Sequence, residues 1–200
     1  MDLSAGSPDP AVREVTRRRF EQVLALTPMF QPISVVCHAG YDRKRYEFAY
    51  DNWLHNSLQT WLWLADRLQQ SGVRLMLENV YENEPAEIRP IFESLPNAGI
   101  GFCLDIGHLH AFGNARLQPW LETMGSFLGQ LHLHDNAGRR DDHLALGRGR
   151  IDYTPLWRYL KTRKADPPII TIEPHDKADV WPNLSYLANI WPWPLKDRGV

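Results

Sequence analysis

Four residues of this sequence carry side chains that bind metal ions, and each stands at or near the end of an apolar run. The runs are short and rich in aliphatic residues, as is typical of buried strands. Three carboxylates placed together raise one another's pKa, and burial penalises each charge, so a divalent cation would resolve the conflict. Carboxylate oxygens with an imidazole nitrogen suit Mn²⁺, Zn²⁺, Co²⁺ or Mg²⁺, and spacing does not choose among them. We therefore expect one divalent metal ion, bound by Glu78, Asp105, His132 and Glu173.

The elements that would position these residues alternate regularly along the chain. Strands are predicted over residues 33–37, 74–77, 100–104, 130–133 and 168–172. Helices are predicted over residues 10–27, 44–70, 84–93, 117–127 and 154–161. This alternation predicts a parallel sheet with helices packed outside it.

The position of the ionisable residues favours one of the two folds that share this order. A doubly wound sheet gathers its ligands at one switch point, whereas a barrel assembles its site from many strand ends. Here nearly every predicted strand ends in an ionisable residue, and no glycine-rich phosphate-binding motif follows any strand. The pattern favours an α/β fold of the (β/α)8 TIM-barrel type.

The composition fits a single globular domain over residues 1–200, with 44% hydrophobic residues and a formal net charge of −2. The short basic run Arg17–Arg19 fits a solvated helix face, so a nucleic-acid partner is not favoured. Cys37 and Cys103 lie in apolar runs and are interpreted as buried thiols. Neither a signal peptide nor a membrane segment is visible, which predicts a cytoplasmic protein.

Five short stretches, taken in order, carry a more specific signal. They resemble the successive strand-end motifs of the xylose-isomerase-like TIM barrels, a superfamily of sugar isomerases, sugar epimerases and type-IV apurinic endonucleases. The ordered set is far more specific than any one motif. The stretches are Leu77–Asn79, Cys103–His108, Leu131–Asn136, Asp141–Asp152 and Thr171–Pro174.

The resemblance implies roles for further residues beside the four principal ligands. By this likeness, His108 contacts the substrate in a sugar enzyme. In the endonucleases, the residues that match His108, Asp141 and His143 bind an additional zinc ion, and the one that matches His38 helps to bind a further ion. All of these positions are filled in this chain.

One departure from the family pattern concerns the start of the chain. A complete barrel has eight strands in about 250 residues, and its first two strands, with the histidine offered by the second, are missing here. Either the start codon is misassigned or the barrel is open. Because an open sheet exposes its edges and part of its core, we expect a chain that is marginal alone or that forms a homodimer.

The favoured function is a metal-dependent sugar or sugar-phosphate isomerase or epimerase that acts on a small sugar through an enediolate. The metal would polarise the carbonyl, and Glu78 and Glu173 would serve as paired acid and base. Arg148 and Arg150 are weaker candidates for binding substrate oxygens. The alternatives are zinc-dependent cleavage at apurinic sites, which the acidic balance and the absent histidine disfavour, and a decayed paralogue without turnover.

His134 receives a different interpretation from His132. The two residues alternate along one predicted strand, so their side chains should point to opposite faces. We therefore expect His134 to be a packing residue outside the site, whereas a shift of the strand register by one residue would exchange the two histidines.

Overall fold

The computed structural model describes residues 4–112, 116–191 and 193. Among these residues, five parallel strands form one sheet, and each strand pairs with the next one along the chain. The strands are β1 (Ser34–His38), β2 (Arg74–Glu78), β3 (Gly101–Asp105), β4 (Leu128–Leu133) and β5 (Ile169–Ile172).

Helices precede the first strand, connect successive strands and follow the last strand. They are α1 (Pro10–Leu24), α2 (Thr27–Phe30), α3 (Arg43–Tyr46), α4 (Tyr50–Gln69), α5 (Arg89–Ser94), α6 (Ile106–Phe112), α7 (Leu117–Met124), α8 (Thr154–Thr162) and α9 (Val180–Ile190). Short 3-10 turns cover Glu47–Ala49, Pro85–Glu87 and Lys177–Asp179.

Local sequence explains where the longer helices begin and what they cover. Asp9 caps α1 by accepting a hydrogen bond from the Ala11 amide, and Pro10 occupies the first turn, where no amide donor is needed. α4 turns an aromatic and aliphatic face inward, including Trp53, Trp61 and Leu68, which are almost completely buried. α4 therefore packs on the sheet through β2, as its helical periodicity predicts, and α1 packs on α4.

The strand order confirms the barrel-type interpretation. Consecutive strands are neighbours throughout, so the sheet winds in one direction, as in a TIM barrel, and lacks the reversal of a doubly wound sheet. Over the described residues it forms a curled half-barrel with β1 and β5 at its two edges. The inner strands β2 and β3 are almost wholly buried, whereas β1 and β5 are half-buried.

Several helical regions differ from the prediction, and the helix expected over residues 84–93 is divided into the 3-10 turn Pro85–Glu87 and α5. The single helix expected over residues 44–70 is divided into α3, a 3-10 turn and α4. A further helix, α6, begins directly after β3, where no helix was predicted, because its first residues were interpreted only as a strand-end motif. α6 matters for the site, since it carries His108 beside Asp105.

A cleft of about 380 Å³ lies next to β1. Its walls come from α1, β1 and α4 and are mainly apolar, with Phe20, Val35 and Trp61 among the lining residues, and His38 also lines it. Within the described part of the chain, no helix is both long and apolar enough to cross a membrane.

Candidate metal centre

The register of the sheet brings the expected ligands to one edge. His38 pairs with Glu78 across β1 and β2, and Asp105 pairs with His132 across β3 and β4. Glu173 follows β5 directly, and its amide donates to the Leu133 carbonyl oxygen. Because the strands are parallel, these side chains all stand at the carboxyl end of the sheet.

The four expected principal ligands lie close together. His132 Nδ1 is 3.0 Å from Glu78 Oε1 and 3.0 Å from Glu173 Oε1. Glu78, Asp105 and His132 each offer one ligand atom within 4.8 Å of the others. A single imidazole nitrogen thus faces two carboxylates. One N–H proton is shared poorly between two acceptors, whereas a divalent cation can bind both carboxylates together with the imidazole.

A polar network fixes Asp105, which is completely buried. The Asn79 side chain donates to the Asp105 carbonyl oxygen and accepts from the Asp105 amide, at 2.9 and 3.0 Å. The His108 amide donates to Asp105 Oδ1 at 2.7 Å. Burial alone would raise the pKa of Asp105, but the hydrogen bond from His134 and the nearby imidazoles outweigh it and lower the pKa. Asp105 is therefore held as a carboxylate.

His132 is held by its neighbours from two sides. Burial would lower its pKa, yet contacts with Cys103, Glu173 and Glu78 raise the pKa well above the ordinary value. On the other side of the ring, His132 Nε2 is 3.2 Å from Gln130 Nε2. Gln130 also bonds to Ser34 and Thr171, which links β4 to β1 and β5 across the concave face. Sequence reasoning missed Gln130, although it precedes His132 by two residues and so shares its face.

A second group surrounds Asp141, in the loop after β4. Asp141 Oδ2 is 3.3 Å from His108 Nε2 and 3.1 Å from His143 Nε2. Burial would lower the pKa of His108, but the hydrogen bond to Asp141 and the charges of Asp105 and Glu78 raise it to about 9. Burial would raise the pKa of Asp141, but the same imidazoles lower it to about 2. The structure thus brings together the three residues for which the resemblance implies an additional zinc ion.

His143 connects the second group to the first. Its Nδ1 donates to the Glu173 carbonyl oxygen at 3.0 Å, so Nε2 remains directed at Asp141. The backbone of His143 has φ +48°, in the left-handed region that few residues other than glycine adopt. Backbone strain of this kind collects at functional sites, where surrounding contacts must hold it.

The expectation for His134 is wrong. β4 ends at Leu133, so the alternation of strand faces does not extend to residue 134. The imidazole turns into the site, where its Nε2 lies 3.2 Å from both Asp105 carboxylate oxygens and its ring stacks on His143. His134 is also completely buried.

The residues present fit a bound cation. Within the part of the chain that the structure describes, His134 Nδ1 and Asp141 Oδ1 are both buried without a hydrogen-bond partner, and they lie 3.5 Å apart. His134, Asp141 and His143 also form a group whose ligand atoms lie within 4.8 Å of one another. Buried polar atoms without partners are unfavourable, and the imidazole and carboxylate donors are those that zinc prefers.

The remaining predicted residues stand further out. His38 Nε2 is 3.7 Å from Glu78 Oε2, and its side chain is 62% exposed. Arg148 is exposed and forms an ion pair with Asp179 at 3.0 Å. Arg150 is exposed as well. Substrate binding by the two arginines stays a prediction.

Comparisons with known proteins agree with this fold. A family model described as "Xylose isomerase-like TIM barrel" matches residues 1–190. A protein named "Probable endonuclease 4" from Mycobacterium ulcerans is 31% identical over 193 residues, covering 89% of this chain and 73% of its own length. The chain spans 61% of an uncharacterised relative from Methanocaldococcus jannaschii, which is 27% identical over 86% of the chain.

Two solved structures share the fold. A protein from Thermus thermophilus, in crystals soaked with ZnCl₂, is 28% identical and superposes with a TM-score of 0.80 over 96% of this chain and 74% of its own. A D-tagatose 3-epimerase-like protein is 24% identical, with a TM-score of 0.80 over 94% of this chain and 73% of its own. With the family match over residues 1–190, these findings establish that the chain belongs to the xylose isomerase-like TIM barrel family.

Proposed function

We propose that this chain is a metal-dependent sugar or sugar-phosphate isomerase or epimerase of the soluble cell interior, built as one domain. The observation that carries the proposal is the placement of Glu78 and Glu173, whose carboxylates both lie 3.0 Å from His132 Nδ1. Glu78 comes from β2 and Glu173 from the end of β5, so the two carboxylates approach the centre from different directions.

The reaction we propose is proton removal next to a carbonyl group. A bound Mn²⁺, Zn²⁺, Co²⁺ or Mg²⁺ would polarise the carbonyl and lower the cost of removing the neighbouring C–H proton. One carboxylate takes that proton to give an enediolate, and the other side chain, which enters the step as the carboxylic acid, gives its proton to the opposite face. Fold neighbours named for epimerases support this assignment as an analogy.

The surroundings suit Glu173 to the role of base. Its side chain is about one quarter exposed, so a substrate can reach it, whereas Glu78 is almost fully buried. Burial would raise the pKa of Glu173, but the hydrogen bond and charge of His132 outweigh it and lower the pKa. Glu173 is thus held in the ionised form that a proton acceptor requires.

A zinc-dependent cleavage of DNA at apurinic sites is the second candidate. The contacts of Asp141 with His108 and His143 favour it, and so do the relatives named endonuclease 4. The net charge of −2 does not favour it, because a DNA-binding surface depends on clustered cationic side chains.

Solvent deuterium incorporation tests the proposal. Protein reloaded with Mn²⁺ or Co²⁺ is incubated in D₂O with a panel of ketoses and ketose phosphates, and exchange next to the carbonyl is followed by NMR. We expect exchange with at least one substrate. Glu173→Gln should reduce its rate by roughly 10²-fold or more, because a catalytic proton acceptor is lost.

Glu93→Gln is the matched control, since Glu93 is a half-exposed residue of α5 that pairs with Arg89. Its exchange rate should equal that of the wild type. The metal content of each variant is measured in parallel, which separates lost binding from lost chemistry. Cleavage of an oligonucleotide with one abasic site, without exchange on any sugar, would overturn the proposal in favour of the nuclease.

A further inference from the structure

His134 lies in a narrow buried space that accommodates a flat ring. It follows β4 directly, and its side chain is almost completely buried. A Cβ atom at Gly107 would overlap the imidazole, so the ring lies against the backbone of α6. The glycine thus gives His134 access to the space between the two groups of metal-binding residues.

The two ring nitrogens of His134 face different groups of metal-binding residues. Its Nε2 is 3.2 Å from both carboxylate oxygens of Asp105, which belongs to the principal group. Its Nδ1 faces Asp141 Oδ1 at 3.5 Å, on the side of the second group. The face of the ring stacks on His143, with ring centroids 3.8 Å apart and an interplanar angle of 11°.

We propose that His134 is a positioning residue of the metal centre, which orients Asp105 through its N–H and holds His143 through ring stacking. Carboxylates that bind metals are themselves held by hydrogen bonds, and losing such a bond weakens metal binding. In the neutral imidazole only one nitrogen carries a proton, and the Asp105 contact assigns that proton to Nε2. The same ring therefore aligns a ligand of each group.

The proposal goes beyond the reaction assigned to the site. It would hold equally for a sugar enzyme and for a nuclease, because it concerns how the ligands are held. It is therefore tested by metal binding, without any substrate, and its failure is distinguishable from failure of the proposed function.

Two substitutions separate the two contacts. His134→Phe keeps a flat ring against Gly107 and His143 but loses the N–H, whereas His134→Gln keeps a donor and loses the ring. Zn²⁺ affinity is measured by competition with a chromophoric chelator, and the ligand field is followed by the visible absorption of bound Co²⁺. We expect His134→Phe to bind the principal ion about 10–100-fold more weakly, with an altered Co²⁺ spectrum. His134→Gln should retain principal-ion affinity within a few-fold.

The second group is measured in a His132→Ala background, where the principal ligand set is broken. There, His134→Gln should weaken Zn²⁺ binding and His134→Phe should leave it nearly unchanged, because the second ion is then held by His108, Asp141 and His143. An equal loss in both variants would show that His134 Nδ1 is itself a ligand and would overturn the positioning role. His55→Phe is the matched control, because His55 is an exposed residue of α4. It should change neither affinity nor spectrum.

A double-mutant cycle with Asp105→Asn separates positioning from general stability. If His134 acts through Asp105, adding His134→Phe to Asp105→Asn costs little further affinity. Wild-type affinity in His134→Phe, or costs that simply add in the cycle, would overturn the proposal. If thermal melting shows that His134→Phe does not fold, loss of the principal ion in a folded His134→Gln variant overturns it instead.

Discussion

Gln130 decides how the imidazole of His132 is oriented. Its amide faces His132 Nε2, donates to Thr171 Oγ1 at 3.1 Å and accepts from Ser34 Oγ at 2.7 Å. Histidines that bind a metal through one nitrogen are fixed by a hydrogen bond at the other. The Gln130 side chain holds that position at His132 Nε2. It therefore affects the orientation of a metal ligand, while its own hydrogen bonds are with His132, Ser34 and Thr171.

Replacing Gln130 should weaken metal binding without removing a ligand. We expect Gln130→Leu to lower Zn²⁺ affinity by about 10–100-fold. It should also reduce the free energy of unfolding of metal-free protein by about 1–3 kcal/mol, because Ser34 and Thr171 lose a partner. Gln130→Glu keeps the acceptor for Ser34 Oγ and places a carboxylate oxygen at His132 Nε2, which can accept the Nε2 proton of an imidazole that binds metal through Nδ1, so it should retain most of the affinity. Chelator competition and urea unfolding measure the two effects, and equal affinity in Gln130→Leu and wild type would contradict this role.

Glu82 gives the protein a pH dependence that is separate from the metal centre. Its carboxylate accepts from the Val80 and Tyr41 amides, and burial raises its pKa from 4.5 to about 7. Since the folded protein binds this proton more tightly than the unfolded chain, the stabilisation is complete below pH 4.5 and is lost as the pH rises through 7. The change amounts to about 3 kcal/mol.

Glu82→Gln removes the titrating group. The difference in unfolding free energy between wild type and Glu82→Gln should therefore fall between pH 4.5 and pH 7 and stay constant above that window. Urea unfolding at a series of pH values measures it, with Glu93→Gln as the exposed control. A difference that does not change with pH would show that Glu82 has the same pKa in the folded protein as in the unfolded chain, and would contradict this prediction.

At the scale of elements, the loop that follows β4 is organised by one buried carboxylate. Asp135 accepts hydrogen bonds from the amides of Asn136, Gly147 and Ile151. Its backbone also pairs with Leu144 in both directions. Asp135 thus fixes the turn of the loop that presents Asp141 and His143 to the site.

Asp135→Asn should loosen this loop, because one acceptor oxygen is replaced by a donor that faces backbone amides. We expect a loss of about 1–3 kcal/mol in unfolding free energy. Limited digestion with trypsin should also become faster at the arginines of residues 136–152. Asp142→Asn, at an exposed position of the same loop, should leave both unchanged. Unaltered digestion of Asp135→Asn would show that other contacts hold the loop.

The sequence predicted the strands and their order because apolar runs and polar tips are local features. It also predicted which residues meet at the strand ends, since parallel strands end at one edge of a sheet. It did not predict α6 or the direction of His134, because both depend on where β3 and β4 end. Gln130 was missed for another reason: its partners Ser34 and Thr171 lie on distant strands.

In the whole molecule, the two edge strands of the half-barrel are the basis for expecting self-association. β1 and β5 each pair on one side only among the described residues, and an unpaired edge invites association. Large apolar side chains beside β1 are mostly exposed, including Phe30 at 68% and Ile33 at 72%. We expect a homodimer that covers this edge.

Sedimentation velocity over a range of concentrations measures the association. Ile33→Lys should shift the equilibrium toward the monomer, whereas Phe48→Lys, at a fully exposed position in the 3-10 turn before α4, should not. A monomer at all concentrations that melts cooperatively would contradict this expectation.

We propose that Glu78, Asp105, His132 and Glu173 hold one divalent cation, and the proposed function depends on that ion. Anomalous diffraction at the zinc absorption edge, from crystals grown with Zn²⁺, tests it most directly. We expect a strong peak bonded to these four side chains at about 2.0–2.2 Å, and loss of that peak in His132→Ala. No peak among the four residues, or a peak that persists unchanged in His132→Ala, would contradict it.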